Sequence, residues 1–600
     1  MRAMMSEASG PRGLQGNLTN YGDAGFALFL RKAFIKGAGY TDDALDRTVV
    51  GIVDTGSGFN PCHGNMPQLI EAVKRGVMLA GGLPVEFPTI SLHEAFSQPT
   101  SMYLRNLMSM DTEEMIKALP VDAVVLIGGC DKTVPAQLMG AASAEKPAIQ
   151  LVTGSMLTGS HRGVRVGACT DCRAFWGRYR AEEIDSEEIA DVNGRLVGSV
   201  GTCSVAGTAS TMACVAEALG VSLPGSATPP AVTADRTRYA ELTGQRAVRM
   251  ADEGLGLDRI LTQGAFENAF RVLLAMGGST NGLVHLAAVA GRMGYSLDLD
   301  RFDAMSRETP VLVNLKPAGS HYMEDLHRAG GVPRLLRELR DLLNTDELTV
   351  TGRTLGEELD DSEEPFPQDV IRPRDRPIYP AGGIAVLRGN LAPNGAIIKQ
   401  AAADQDLLEH RGRAVVFEGA EDLARRIDSE DLDVRADDVL VLRGIGPVGA
   451  PGMPEAGYIP IPRTLARQGV KDMVRVSDGR MSGTAAGTIV LHVSPESAIG
   501  GPLALVREGD IVRLSVRDRA IELEVSDEEL RRRAEEPRPE ASPPPPGAGR
   551  GYRKLFTEQV NQAEAGCDFG FLRAETDRGP VPGPASVSAS TAAGPGRTDD

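Results

Sequence analysis

The chain has 600 residues, 42% hydrophobic and 24% charged, so it can bury a large core and is expected to hold two or more domains. Its formal net charge of -18 argues against a nucleic-acid or anionic-membrane surface, since both need basic patches. The excess acid is read as serving solubility.

Residues 1–20 read as a loose polar arm. The apolar run Gly25 to Leu30 is too short for a secretory core and meets Arg31-Lys32, so residues 24–36 predict an amphipathic helix. Val49 to Val53 reads as a buried strand, and it opens into a loop, Asp54 to Asn65, dense in turn formers. A helix follows, with Leu69, Ile70, Val73, Val77 and Met78 on one face. Glu86 to Ile90 is a second strand, left by Ser91-Leu92-His93-Glu94. Ala123 to Ile127 is a third, opening through Gly128-Gly129 into Cys130-Asp131-Lys132-Thr133, and Ala148 to Thr153 a fourth. Strands alternating with helices predict an α/β domain with a mainly parallel sheet. Ligands usually bind beyond the carboxyl ends of such strands.

Gly201 to Thr211 is rich in small residues and leads into a helix from Met212 to Leu219, a start that offers free N–H groups and hydroxyls. Residues 262–292 are helical in pattern. Gly277-Gly278-Ser279-Thr280-Asn281 and His285 interrupt the most apolar window, so no membrane span is expected. From Asp346 to about Pro380 acid and proline accumulate, which sets a boundary between an α/β domain over 21–375 and a second domain over 376–575. That domain is β-rich, with strands over Ile384 to Leu387, Ala414 to Phe417, Val439 to Leu442, Ile489 to Val493 and Ile511 to Val525, and predicts a barrel or sandwich. Pro543 to Pro546 marks a linker, and residues 576–600 are expected to be disordered.

Seven cysteines in a chain with no visible signal peptide predict a reducing compartment, the cytoplasm. Cys62, Cys130 and Cys203 each lie in a loop after a strand or before a helix, so parallel topology would gather them at one sheet edge. Three thiolates there suit a metal or an iron–sulfur cluster, and spacing alone leaves packing as small hydrophobes equally open. Cys169 and Cys172 form a C-x-x-C with no second pair, a weak signal for zinc or redox work.

Asn60-Pro61-Cys62, Gly129 to Thr133, Gly201-Thr202-Cys203 with Gly207 to Thr211, and Gly277 to Asn281 resemble the iron–sulfur dehydratases of dihydroxy acids and sugar acids. Leu387 to Pro393, Pro451-Gly452-Met453-Pro454-Glu455 and Ser477 to Thr484 match in the same order, so the resemblance covers about residues 20–575. It implies a cluster held by Cys62, Cys130 and Cys203, of the 2Fe-2S rather than the 4Fe-4S type. It also implies Mg2+ on Glu94, Asp131, Glu455 and a carbamylated Lys132. Bare lysine offers a cation no acceptor, whereas a carbamate offers hard oxygens. Ser482 matches the family's catalytic serine, with Thr484 as its hydrogen-bonding neighbour. The resemblance implies an α/β domain carrying the cluster, a barrel-like domain carrying Glu455 and Ser482, and a homodimer or homotetramer whose Phe26–Phe34 regions complete the partner's pocket.

Met481 before Ser482, Phe26 to Phe34, Pro99 to Asn106 and Tyr552 to Phe556 look like the sugar-acid branch, arabinonate- or xylonate-type. The branched-chain amino-acid branch more often has Phe before the serine. An aldonate is therefore the expected substrate, a branched-chain dihydroxy acid the runner-up, and a non-catalytic metal-binding homologue the outside alternative. His63 departs from the asparagine common after the first cysteine, and Cys169-Thr-Asp-Cys172 lies outside the shared motifs.

Overall fold

The computed structural model describes residues 12–536 and 549–583. The amino-terminal domain is built on four parallel strands, β1 (Val49–Asp54), β2 (Leu83–Pro88), β3 (Ala123–Gly128) and β4 (Ala148–Val152), in the order β2-β1-β3-β4. β3 is Ala-Val-Val-Leu-Ile-Gly and is buried throughout, as expected of a central strand covered by helices on both faces. All four expected strands are present, with bounds shifted by at most three residues at an end.

The helices that matter for the site are α1 (Ala24–Gly37), α2 (Met66–Leu79), α3 (Ser101–Ala118), α4 (Thr133–Ala144), α5 (Thr170–Arg180), α6 (Thr208–Ala218), α7 (Ala234–Glu253), α8 (Gln263–Ala275) and α9 (Thr280–Arg292). α2 buries Leu69, Ile70, Val73 and Val77 and lies so close to α7 that a Cβ at Gly76 would overlap the Glu241 carbonyl oxygen. The helical stretch at 262–292 is two helices, because Gly277 takes a left-handed φ of 57° and breaks the first. Within the expected arm, Gly13–Gln15 forms a turn that buries Leu14, and Arg31 of α1 donates to the Leu14 and Gly16 carbonyls. The Pro543–Pro546 linker lies outside the described residues, as does most of the expected tail.

The second domain is a closed eight-stranded barrel. Its strands are β5 (Ala385–Gly389), β6 (Ala392–Ile398), β7 (Glu409–Glu418), β8 (Val439–Arg443), β9 (Arg475–Ser477), β10 (Ile489–Ser494), β11 (Ile511–Ser515) and β12 (Ala520–Leu523). They run in the order β7-β8-β9-β10-β6-β5-β12-β11, and β11 pairs back to β7. Alternation builds it: Ala414 and Val416 pack into one cluster with Val439, Val441, Val476 and Val512, while Val415 and Phe417 face a second with Leu440, Leu442 and Leu465. Sequence pattern missed two strands. β6 carries Pro393 and Gly395, and β9 spans only three residues. The stretch 511–525 is a hairpin rather than one strand. Among the described residues, no helix is long and apolar enough to cross a membrane.

Candidate active site

The loops leaving the carboxyl ends of β1, β2, β3 and β4 form one knitted edge. Thr55 Oγ1 donates to the Ile127 carbonyl (2.9 Å), Ser91 Oγ to the Thr55 carbonyl (2.6 Å) and Thr153 Oγ1 to the Cys62 carbonyl (2.8 Å). Gly201 N–H donates to the Pro61 carbonyl at 3.2 Å, which ties the Cys203 loop to the same edge. A Cβ at Gly129 would overlap the Thr153 hydroxyl and press on Thr202. Gly129→Ala is therefore expected to displace the Cys130 loop at a cost of about 1–3 kcal/mol, read as a lowered melting temperature.

Cys62 and Cys130 meet at this edge, with His93 beside them. Their mutual hydrogen bond, opposed by burial and helped by His93, brings the Cys62 thiol down to about 6. The same bond, together with burial, pushes Cys130 up. Cys130 Sγ also lies 3.4 Å from Asp131 Oδ1. Cys203 is on the adjoining loop, but its sulfur is 3.4 Å from Cys169 Sγ and lies outside the compact Cys62–His93–Cys130 group.

On the other side of Asp131 the donors are hard. Oxygens of Glu94, Asp131 and Glu455 all lie within 4.8 Å of one another. Lys132, fully buried, donates to Asp131 Oδ2 at 2.5 Å. Arg480 is wedged among them: Nη1 donates to Glu455 (2.8 Å), Nη2 to Glu94 (3.3 Å) and to Thr100 Oγ1 (2.6 Å). Burial would raise the Glu94 carboxyl, but Arg480, Lys132 and the Ser101 and Thr100 hydroxyls hold it down at about 2. Glu455 is pushed up, by burial first and by Glu94 and Asp131 after it, against Arg480 and Lys132. Glu455 and Arg480 come from the barrel and Glu94 and Asp131 from the α/β domain, so the site is a domain interface.

The serine loop is fixed from the same two sides. Ser482 Oγ is 2.9 Å from Thr484 Oγ1. Asn281 Nδ2 donates to the Met481 carbonyl (2.9 Å), and buried Lys399 donates to the Gly483 carbonyl (3.0 Å). Burial pushes the Lys399 amine down to about 7. Gly483 sits against Ser279 and the Thr208 N–H, which begin α9 and α6, so the positive ends of two helices face the loop.

Residues 47–358 match the amino-terminal model of the dihydroxy-acid/6-phosphogluconate dehydratases, and residues 369–567 match the carboxy-terminal one. The chain belongs to this dehydratase family. It is a hydro-lyase. It is 48% identical to the L-arabonate dehydratase of Azospirillum brasilense, over 91% of this chain and 94% of that one. It is 44% identical to the 6-deoxy-6-sulfo-D-gluconate dehydratase of Pseudomonas putida, over 89% and 92%. A dihydroxy-acid dehydratase of Methanothrix thermoacetophila is 38% identical, over 89% and 96%.

Three residues of this dehydratase's site escaped sequence reasoning. Arg480 lies inside the Ser477 to Thr484 motif, but nothing in the motif shows that its guanidinium reaches two carboxylates. Lys399 follows an apolar strand and looks like a surface lysine. His63, noted only as a departure, accepts at Nε2 from the Gly129 N–H (2.9 Å) and the Cys130 N–H (3.0 Å), and at Nδ1 donates to the Thr55 carbonyl (2.8 Å). Two donors on Nε2 require the Nδ1–H tautomer, and burial pushes its pKa down to about 4. The imidazole props the central loop.

Proposed function

We propose that this dehydratase acts on a sugar acid, removing water across C2 and C3 of a 2,3-dihydroxy carboxylate to release a 2-keto-3-deoxy acid. The observation that carries the reading is the meeting of two donor sets at Cys130-Asp131-Lys132, sulfur on one side and carboxylate oxygen on the other. The donor chemistry fits a 2Fe-2S cluster on Cys62, Cys130 and Cys203, with Mg2+ on Glu94, Asp131, Glu455 and carbamylated Lys132. Charge supports the second fit: carbamylation turns Lys132 from a cation into an anion, and one divalent cation restores the difference. When bound, these groups supply Lewis acidity to the leaving C3 hydroxyl and to the substrate carboxylate and C2 hydroxyl.

The chain's residues do the rest. Ser482 Oγ takes the C2 proton, Thr484 orients that oxygen, and Asn281 and Lys399 hold the loop by its carbonyls. The two helix amino termini favour the anionic serine. Loss of the C3 hydroxyl leaves an enol that tautomerises to the keto acid. Higher identity to the arabonate enzyme than to the dihydroxy-acid one, with Met481 before Ser482, favours an aldonate. Exposed Phe26, Phe29 and Phe34 on α1 support a homodimer or homotetramer that covers them.

The test is anaerobic purification, followed by an assay of 2-keto-acid formation from a panel of aldonates and 2,3-dihydroxyisovalerate. A brown protein turning over a pentonate fastest is expected. Preference for 2,3-dihydroxyisovalerate would reject the sugar-acid reading, and a protein that stays colourless and inactive after reconstitution would reject the chemistry.

A further inference from the structure

Cys169, Cys172 and Cys203 are partly exposed, whereas Cys62, Cys130, Cys214 and Cys567 are buried. Cys169 stands at the start of α5 with its sulfur 3.4 Å from Cys203 Sγ. A disulfide needs about 2.05 Å, so the two are in contact and unbonded. The placement of Cys169 is braced. Thr170 Oγ1 donates to the Thr484 carbonyl (2.9 Å), while Asp171 accepts from the Gly167 N–H (2.7 Å), Lys316 Nζ (2.6 Å) and the Tyr322 hydroxyl (2.8 Å). Cys172, the obvious partner by sequence, instead donates its thiol to the Cys169 carbonyl at 2.7 Å.

We propose that Cys169 is a resolving thiol for Cys203. When the site carries no cluster, a peroxide converts the two into a Cys169–Cys203 disulfide. The sulfur of Cys203 attacks a peroxide oxygen, the O–O bond breaks, and hydroxide leaves as water with the thiol proton, giving a sulfenic acid. The sulfur of Cys169 then attacks that sulfur. The S–S bond forms as the S–O bond breaks, and a second water leaves with the Cys169 proton. Two thiols are oxidised by two electrons and one peroxide is reduced to two waters. A dithiol reverses the bond, so Cys203 is kept off the irreversible sulfinic and sulfonic steps. The benefit to cluster loading rests on Cys203 being a cluster ligand; the disulfide does not.

The experiment uses full-length protein stripped of metal by chelator and reductant, exposed to hydrogen peroxide, alkylated and mapped by mass spectrometry. The expected result is a Cys169–Cys203 cross-linked peptide, lost on dithiothreitol treatment, after which reconstitution restores visible absorbance. In Cys169→Ser, with Cys169→Ala as a second variant and circular dichroism as the fold control, the cross-link is absent, Cys203 is found as sulfinic or sulfonic acid, and absorbance is not recovered. Cys172→Ser should cross-link as the wild type does. A Cys169–Cys172 cross-link, or overoxidised Cys203 in the wild type, overturns the proposal. A normal cross-link in the wild type, together with full cluster absorbance in Cys203→Ser, would leave the disulfide standing and remove Cys203 from the cluster ligands.

Discussion

Ser482→Ala is expected to lower kcat for 2-keto-acid formation by about 10²–10⁴-fold, the usual worth of a positioned base, while the visible spectrum of the loaded protein stays unchanged. The separation of the two readouts follows from the geometry. Among the described residues the Ser482 hydroxyl bonds only to Thr484, whereas the loop itself is held through the backbone carbonyls of Met481 and Gly483. Removing one oxygen leaves those bonds and the cysteine loops untouched. Thr484→Val removes a single hydrogen bond to the same oxygen, worth about 1 kcal/mol, so its loss should be only about 5–10-fold. Retained turnover in Ser482→Ala would exclude the serine as the base.

How much of this was legible depended on whether a signal was local. β3 is a continuous apolar run ending in two glycines, and it announced both the parallel sheet and the loop beyond it. Cys130, Asp131 and Lys132 are adjacent in the chain, so their mixed donor chemistry was visible at once. The short β9 and the Pro- and Gly-bearing β6 gave no period to read. Arg480, His63 and Lys399 act across distances in sequence that no local pattern records: Arg480 reaches Glu94 over 386 positions and His63 reaches Gly129 over 66. The contact of Cys169 with Cys203 is of the same kind. A sequence pattern shows which donors exist, and packing decides which of them meet.

Arg480→Gln tests that packing most severely. The guanidinium is fully buried between Glu94 and Glu455, and removing it leaves Glu94, Asp131 and Glu455 facing one another with two cations nearby, Lys132 on Asp131 and Arg173 at 3.9 Å from Glu455. Breaking a buried ion pair from one side costs about 3–5 kcal/mol, because the uncompensated charge stays behind. Metal-free Arg480→Gln should therefore melt well below the wild type. The carboxylates left bare are also the proposed Mg2+ ligands, so adding Mg2+ should raise the melting temperature of the variant more than that of the wild type. A purely structural arginine predicts a different result, with both proteins responding equally to the cation. If Mg2+ fails to narrow the gap, the three carboxylates are not a cation site and Arg480 is only a strut between the domains. If it closes the gap while activity stays low, the guanidinium is needed to place the carboxylates, or the substrate, as well as to neutralise them.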